Sequence, residues 1–114
     1  MSNFIDLNQA VTMTTDFRTD MENILDQQYK GLDILAICET FDKGQVKSLL
    51  DQTTCVALRV YFGMDENKKI HTILVGVDDD DKDILPYQNE TGDFILEEAK
   101  RTPPFSVPTS PLNA

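Results

Sequence analysis

The chain has 114 residues, and 40% of them are hydrophobic, which is enough for one modest core in a single domain. Twenty acidic residues against ten basic ones give a net charge of −10. A surface of this sign repels nucleic-acid phosphates and anionic membranes, so we expect neither as a partner. The start of the chain lacks the basic and apolar regions of a signal peptide, and no apolar run approaches the ~20 residues of a membrane span.

Two cysteines, Cys38 and Cys55, are too few for a disulfide framework or a zinc cage. Together with the missing signal peptide, they predict a cytoplasmic protein with reduced, buried thiols. The chain also lacks a Gly-rich phosphate loop and a nucleophile elbow, so the sequence predicts no cofactor.

Two helix starts follow the same pattern. Asp6 and Asp42 are each followed three residues later by a glutamine, which predicts an N-cap aspartate at each helix start. An apolar stripe after Asp6 predicts a first helix that continues to about Gly31. The second helix is expected to run from Lys43 to about Gln52.

Residues 32 to 41 are apolar and favour an extended, mostly buried segment. Residues 55 to 62 and 70 to 77 read as two strands of a hairpin. A tight turn centred on Glu66 and Asn67 would place Leu58, Val60 and Phe62 on one face, together with Ile73 and Val75. The other face would then carry Arg59, Tyr61, Thr72 and Leu74.

Two weaker strands are expected at residues 83 to 87 and 93 to 98, separated by a turn at residues 89 to 92. The fold class predicted is α+β, with two N-terminal helices packed on one face of a three- or four-stranded antiparallel sheet. Residues 1 to 101 form this single domain in the prediction. Residues 102 to 114 contain four of the five prolines and form a Pro-rich C-terminal tail.

The segments "RVYFGMDEN" (59 to 67) and "LVGVD" (74 to 78) carry a family resemblance. With Phe41-Asp42-Lys43, "DILP" (83 to 86) and the tail residues 110 to 113, they make the chain resemble uncharacterised small acidic proteins of Bacteroidota-type bacteria. About half of the chain matches. The resemblance implies one compact domain and no particular activity. Members have a Cys-Pro-Pro-x-Cys tail where this chain has Thr102-Pro103-Pro104-Phe105-Ser106, so a thiol role of the tail does not carry over.

Four consecutive aspartates, residues 78 to 81, are followed by Asp83. Asp79, Asp81 and Asp83 alternate as carboxylates do at the start of a calcium loop, and Glu90 stands at the twelfth position. The glycine that folds such a loop is missing, and Pro86 interrupts it. A solvated turn between two strands is the preferred interpretation, and calcium binding is the alternative.

A thiol enzyme would need a cysteine beside the only histidine, His71. In the predicted hairpin, His71 lies seven residues along the strand from Cys55, which is ~23 Å. Cys38, Glu39 and His71 are therefore the only candidates for an enzyme, and we expect a non-enzymatic protein.

The second sheet face holds too much apolar surface to face water. We therefore predict a protein–protein interaction or self-association module that uses Arg59, Tyr61, Thr72 and Leu74, with a protein or a second copy of the chain as partner. The tail could instead cover this face, extend freely, or bind an aromatic groove on another protein.

Overall fold

The computed structural model describes residues 3 to 86 and 94 to 114. In chain order the helices and strands are α1 (Leu7–Asp20), β1 (Cys38–Thr40), α2 (Lys43–Leu50), β2 (Ala57–Met64), β3 (Ile70–Val77), β4 (Ile95–Leu96) and β5 (Lys100–Thr102). Two short 3-10 turns, Met21–Ile24 and Gln27–Tyr29, connect α1 to β1. The α+β class with antiparallel sheets is therefore confirmed, and the predicted turn at residues 89 to 92 lies outside the described residues.

The strands form two sheets instead of one. Strands β2, β3 and β4 make a three-stranded antiparallel sheet in that order, and β1 pairs with β5 in a two-stranded sheet. The predicted boundary between domain and tail, after Arg101, falls inside β5. Beyond β5, Arg18 on α1 donates hydrogen bonds to the backbone oxygens of Leu112 and Ala114, which fixes the end of the chain against α1.

Both predicted N-caps are confirmed. Asp6 and Gln9 form a reciprocal capping box at the start of α1, and the Asp42 side chain accepts the Gln45 N–H at the start of α2. The predicted continuation of the first helix to Gly31 is wrong, because α1 ends at Asp20 and the chain becomes extended at Leu25. No residue of α1 is buried, so tertiary packing does not support a longer helix.

The helix α2 packs against β3 and β4. Its end approaches β3 closely at Gly76, where a Cβ atom would come within 3.0 Å of the Cys55 Sγ and within 3.3 Å of the Leu49 carbonyl oxygen. Among the described residues, five apolar side chains are buried: Ile34, Leu49, Leu74, Val75 and Val77. The packing of α1 on the sheet, as the sequence predicts it, stays a prediction.

The predicted hairpin register is wrong by one residue. Phe62 lies opposite Thr72, Val60 opposite Leu74 and Leu58 opposite Gly76. The cause is the turn, which is one residue longer than the two-residue turn expected. Lys68 adopts a positive φ of 67°, and the Asp65 N–H donates to the Lys69 oxygen.

The side chain of Asp65 stabilises this longer turn. Its Oδ1 accepts the N–H groups of Asn67 at 2.8 Å and Lys69 at 3.0 Å. Because the side chains of a strand alternate, the shift moves Leu58, Val60 and Phe62 to the face of Thr72 and Leu74. Arg59 and Tyr61 lie on the opposite face.

Candidate functional site

A groove of about 430 Å³ lies between the sheet face of Val60 and Leu74, the segment before α2, and α1. The groove is lined mostly by apolar side chains, and Glu39, His71 and the Cys38 thiol are the ionisable groups that border it. Its lining residues are Phe17, Leu35, Ala36, Cys38, Glu39, Phe41, Val60, Phe62, Ile70, His71, Thr72 and Leu74.

Glu39 is the most unusual of these residues. Its side chain extends from β1 to β3 and is only 8% exposed. One carboxylate oxygen, Oε1, accepts the Thr72 backbone N–H at 2.7 Å and the Thr72 hydroxyl at 2.5 Å. The other oxygen, Oε2, is buried and accepts no hydrogen bond from any residue that the structure describes.

His71 lies between three carboxylates. Its Nε2 is 2.8 Å from Asp65 Oδ2, while its Nδ1 is 3.4 Å from Glu39 Oε2 and 3.9 Å from Glu97 Oε1. The hydrogen bond from His71 lowers the pKa of Asp65 below its ordinary value, and the N–H groups of Lys69 and Asn67 lower this pKa further. The contact with Asp65 thus fixes the ring so that Nδ1 points towards Glu39.

A second charged cluster occupies the other end of the hairpin. Arg59 binds Asp83 Oδ1 at 2.8 Å and Asp81 Oδ1 at 2.5 Å, and the Tyr61 hydroxyl donates to Asp83 Oδ2 at 2.5 Å. The Tyr61 bond and the Arg59 cation lower the pKa of Asp83. In turn, Asp83 raises the pKa of Arg59 and that of Tyr61.

The acidic run forms a turn that Asp78 organises. Asp78 Oδ1 accepts the N–H groups of Asp80 at 2.9 Å and Lys82 at 3.0 Å, and the Asp78 N–H donates to the Lys82 oxygen. A turn between extended segments is thus what the described residues show. Carboxylate oxygens of Asp78, Asp79 and Asp80 lie within 4.8 Å of one another, but the cluster is largely exposed.

The candidate calcium ligands do not form one group. Asp81 and Asp83 bind Arg59, while Asp79 belongs to the cluster with Asp78 and Asp80. Calcium at the set Asp79, Asp81 and Asp83 would have to displace a guanidinium group, and this role stays a prediction.

The four candidate interaction residues divide between the two sheet faces. Arg59 and Tyr61 belong to the charged cluster, whereas Thr72 and Leu74 line the groove on the opposite face. They were expected to share one face, and the one-residue change in register separates them. Their role in an interaction stays a prediction.

The enzyme candidates lie closer together than the sequence required. Cys38, Glu39 and His71 all line the groove. His71 pairs with Gly63 near the end of β2, whereas Cys55 precedes the start of that strand and is therefore remote from His71. Both thiols are free, and the Cys55 Sγ lies 3.2 Å from the Ala57 carbonyl oxygen.

Sequence reasoning missed Arg101 and the role of Glu39. Arg101 is 4% exposed and donates to the backbone oxygens of Asp33, Ile34, Ile70 and Pro103, which joins the two sheets. The side chain of Glu39 forms a second connection between them through Thr72. The adjacent pair Lys100-Arg101 gave no signal of burial, because the partners are carbonyl groups far away in the sequence.

Strand β2 is an edge strand, and several of its large apolar side chains are exposed to solvent. On the groove face, Leu58, Val60, Phe62 and Met64 are all exposed, and Phe62 is 75% exposed. Arg59 is its one charged residue. Long apolar edges without proline or lysine pair readily with another strand.

The fold and the site together define a small α+β protein with an exposed edge strand and an apolar groove that has a buried carboxylate at its border. No protein-family model, no curated protein and no solved structure matches the chain. None of the helices among the described residues is long and apolar enough to cross a membrane. The resemblance to small acidic proteins of Bacteroidota-type bacteria stays a prediction.

Proposed function

We propose that the protein is a non-enzymatic self-association module in which strand β2 pairs with β2 of a second copy. The observation that carries this proposal is the exposed apolar edge of β2. An antiparallel pair of these edges would join two three-stranded sheets into one continuous sheet.

The surface area of the isolated chain supports a partner. Its accessible surface is 8641 Å², whereas a monomer of 12.9 kDa is expected to expose about 6,300 Å². Its radius of gyration is 16.4 Å, whereas about 13 Å is expected for this length. The excess surface exceeds the roughly 800 Å² that each partner contributes to a stable interface.

The backbone of β2 offers the necessary hydrogen bonds. The Asp65 N–H donates to the Lys69 oxygen, and hydrogen-bonded pairs alternate along an antiparallel ladder, so the odd-numbered residues of β2 bond to β3. The N–H and C=O groups of Leu58, Val60, Phe62 and Met64 therefore point away from β3, towards the free edge.

A two-fold axis at Tyr61 gives the best side-chain pairs. It places Val60 opposite Phe62 of the second copy and Leu58 opposite Met64 of the second copy. Aromatic and β-branched cross-strand pairs stabilise a sheet by about 0.2 to 1 kcal/mol each. The net charge of −10 per copy opposes association, but charges beyond about 8 Å are screened at physiological salt. We therefore expect added salt to tighten the dimer.

Light scattering over a concentration series tests the proposal. The wild type should be a dimer. Val60→Pro should be a folded monomer, because proline removes an outward-facing N–H and leaves the bonds to β3 intact. Val60→Thr keeps that N–H and should stay dimeric. A wild type that is monomeric at every concentration would contradict self-association.

Cysteine cross-linking then tests the register. In a background in which Cys38 and Cys55 are serine, Tyr61→Cys should form a disulfide-linked dimer, because residues facing each other across the axis have Cα atoms about 4.5 Å apart. The matched variant Phe62→Cys should cross-link much less. Equal yields from both variants would show that the axis is not at Tyr61.

A further inference from the structure

We propose that the groove binds a small molecule with an apolar body and a primary ammonium group, and that the ammonium donates hydrogen bonds to Glu39 and His71 from the groove side. Strand pairing would use the backbone edge of β2, and Val60 and Phe62, which line the groove, would then lie beside the second copy. The polar end of the groove at Glu39 and His71 is not part of that pairing.

The body of such a ligand follows from the groove walls. The volume of about 430 Å³ falls within the roughly 300 to 1,000 Å³ of small-molecule sites. Phe17, Phe41 and Phe62 supply aromatic surface from three separate segments of the chain. An apolar ring or chain would cover part of the surface that these side chains now expose to water.

The ammonium group follows from a surplus of hydrogen-bond acceptors. A neutral imidazole has one N–H, and Asp65 accepts it from Nε2 at 2.8 Å. In this form of the ring, the lone pair of Nδ1 faces Glu39 Oε2, 3.4 Å away, and neither acceptor has a donor. A buried carboxylate oxygen without a donor is costly, so Oε2 requires either a second proton on the ring or a donor from outside the chain.

A primary ammonium can supply the missing hydrogen-bond donors to both Glu39 Oε2 and His71 Nδ1. It carries three N–H donors, so it can donate to Oε2 and to Nδ1, and its positive charge is opposite to that of Glu39. Glu97, whose Oε1 is 3.9 Å from Nδ1, adds further negative charge on the same side. An alcohol supplies one donor without charge, and a carboxylate would meet repulsion from both glutamates.

Three probes of matched size distinguish these chemistries: phenethylamine, phenethyl alcohol and phenylacetate. We expect titration calorimetry at neutral pH to show that the amine binds about tenfold more tightly than the alcohol, because hydrogen bonds between charged groups are the stronger ones. Phenylacetate should bind least. Equal affinities for the three probes, or no binding of any of them at millimolar concentration, would overturn the proposal.

The variant Glu39→Gln separates binding from folding. The amide oxygen can still accept both bonds from Thr72, and the amide NH₂ then faces His71 Nδ1 and supplies the missing donor. We therefore expect an unchanged or higher melting temperature, together with an amine affinity that falls about tenfold.

Asp79→Asn is the matched control. It removes the same charge from an exposed residue in the turn after β3, and the end of β3 at Val77 is about 20 Å from His71. Amine affinity should not change in this variant, because a charge at this distance is screened. If Glu39→Gln binds the amine as the wild type does, or if both variants weaken binding equally, the amine recognises overall charge and the proposed site is wrong.

Discussion

The two ends of the β2–β3 hairpin both carry clusters of acidic groups, but they differ in burial and in balance. At the end remote from the hairpin turn, which we call the acidic end, Asp81 and Asp83 share the cation of Arg59, and Tyr61 supplies a further donor. At the turn end, Glu39 is buried and one of its oxygens has no donor among the described residues. Satisfied charges in water contribute little to stability, whereas a buried deficit is costly and favours a ligand that removes it.

The largest expected effect contrasts the two arginines. Arg101→Met should lower the free energy of unfolding by about 3 kcal/mol or more, because four buried or partly buried hydrogen bonds to backbone oxygens lose their charged donor. Arg59→Met should change the urea midpoint little, since water replaces the lost ion pairs. Equal losses of stability in the two variants would contradict the distinction between Arg101, which joins the two sheets at a buried junction, and Arg59, which belongs to the exposed charged cluster.

Two threonines near the junction between the sheets differ in whether their hydroxyl group has a hydrogen-bond partner. Thr72→Val removes a hydroxyl that donates to Glu39 Oε1 and should cost about 1.5 kcal/mol in urea denaturation. Thr102→Val removes a buried hydroxyl for which the described residues provide no partner, so it should be neutral or stabilising. A loss of the same size in both variants would show that packing, and not hydrogen bonding, determines the effect.

The dependence of stability on acid pH tests the contribution of Asp83 at the acidic end of the hairpin. The pKa of Asp83 is lowered in the folded protein, by Tyr61 first and by Arg59 as well. Its contribution to stability is therefore present above its ordinary pKa of 3.8 and is lost as the pH falls through the lower folded value. Asp83→Asn should lack this contribution, so the difference between its urea midpoint and that of the wild type should shrink on acidification. A difference that stays constant with pH would contradict this assignment.

Local interactions could be predicted from the sequence. The caps at Asp6 and Asp42 depend on residues three positions apart, and the strands of the hairpin follow from their apolar, β-branched composition. These signals require no knowledge of distant parts of the chain.

Features that depend on long-range contacts could not be predicted. The register changed because Lys68 adopts a positive φ, which a non-glycine residue rarely does. The groove requires α1, the segment before α2 and the sheet to meet, and residues 33 and 70 both accept hydrogen bonds from Arg101. The structural role of Glu39 could not be predicted, because nothing near it in the sequence indicates Thr72 as its donor.

The smallest effect is expected from calcium at the acidic end. Arg59 already neutralises Asp81 and Asp83, so millimolar calcium should leave the melting temperature of the wild type unchanged. In Arg59→Met these two carboxylates lose their cation, and any calcium stabilisation should appear in this variant first. A clear rise in the melting temperature of the wild type would instead favour the calcium alternative. Asp83→Asn would then show whether the ion uses the predicted set of Asp79, Asp81 and Asp83, because the exposed cluster of Asp78, Asp79 and Asp80 does not contain Asp83.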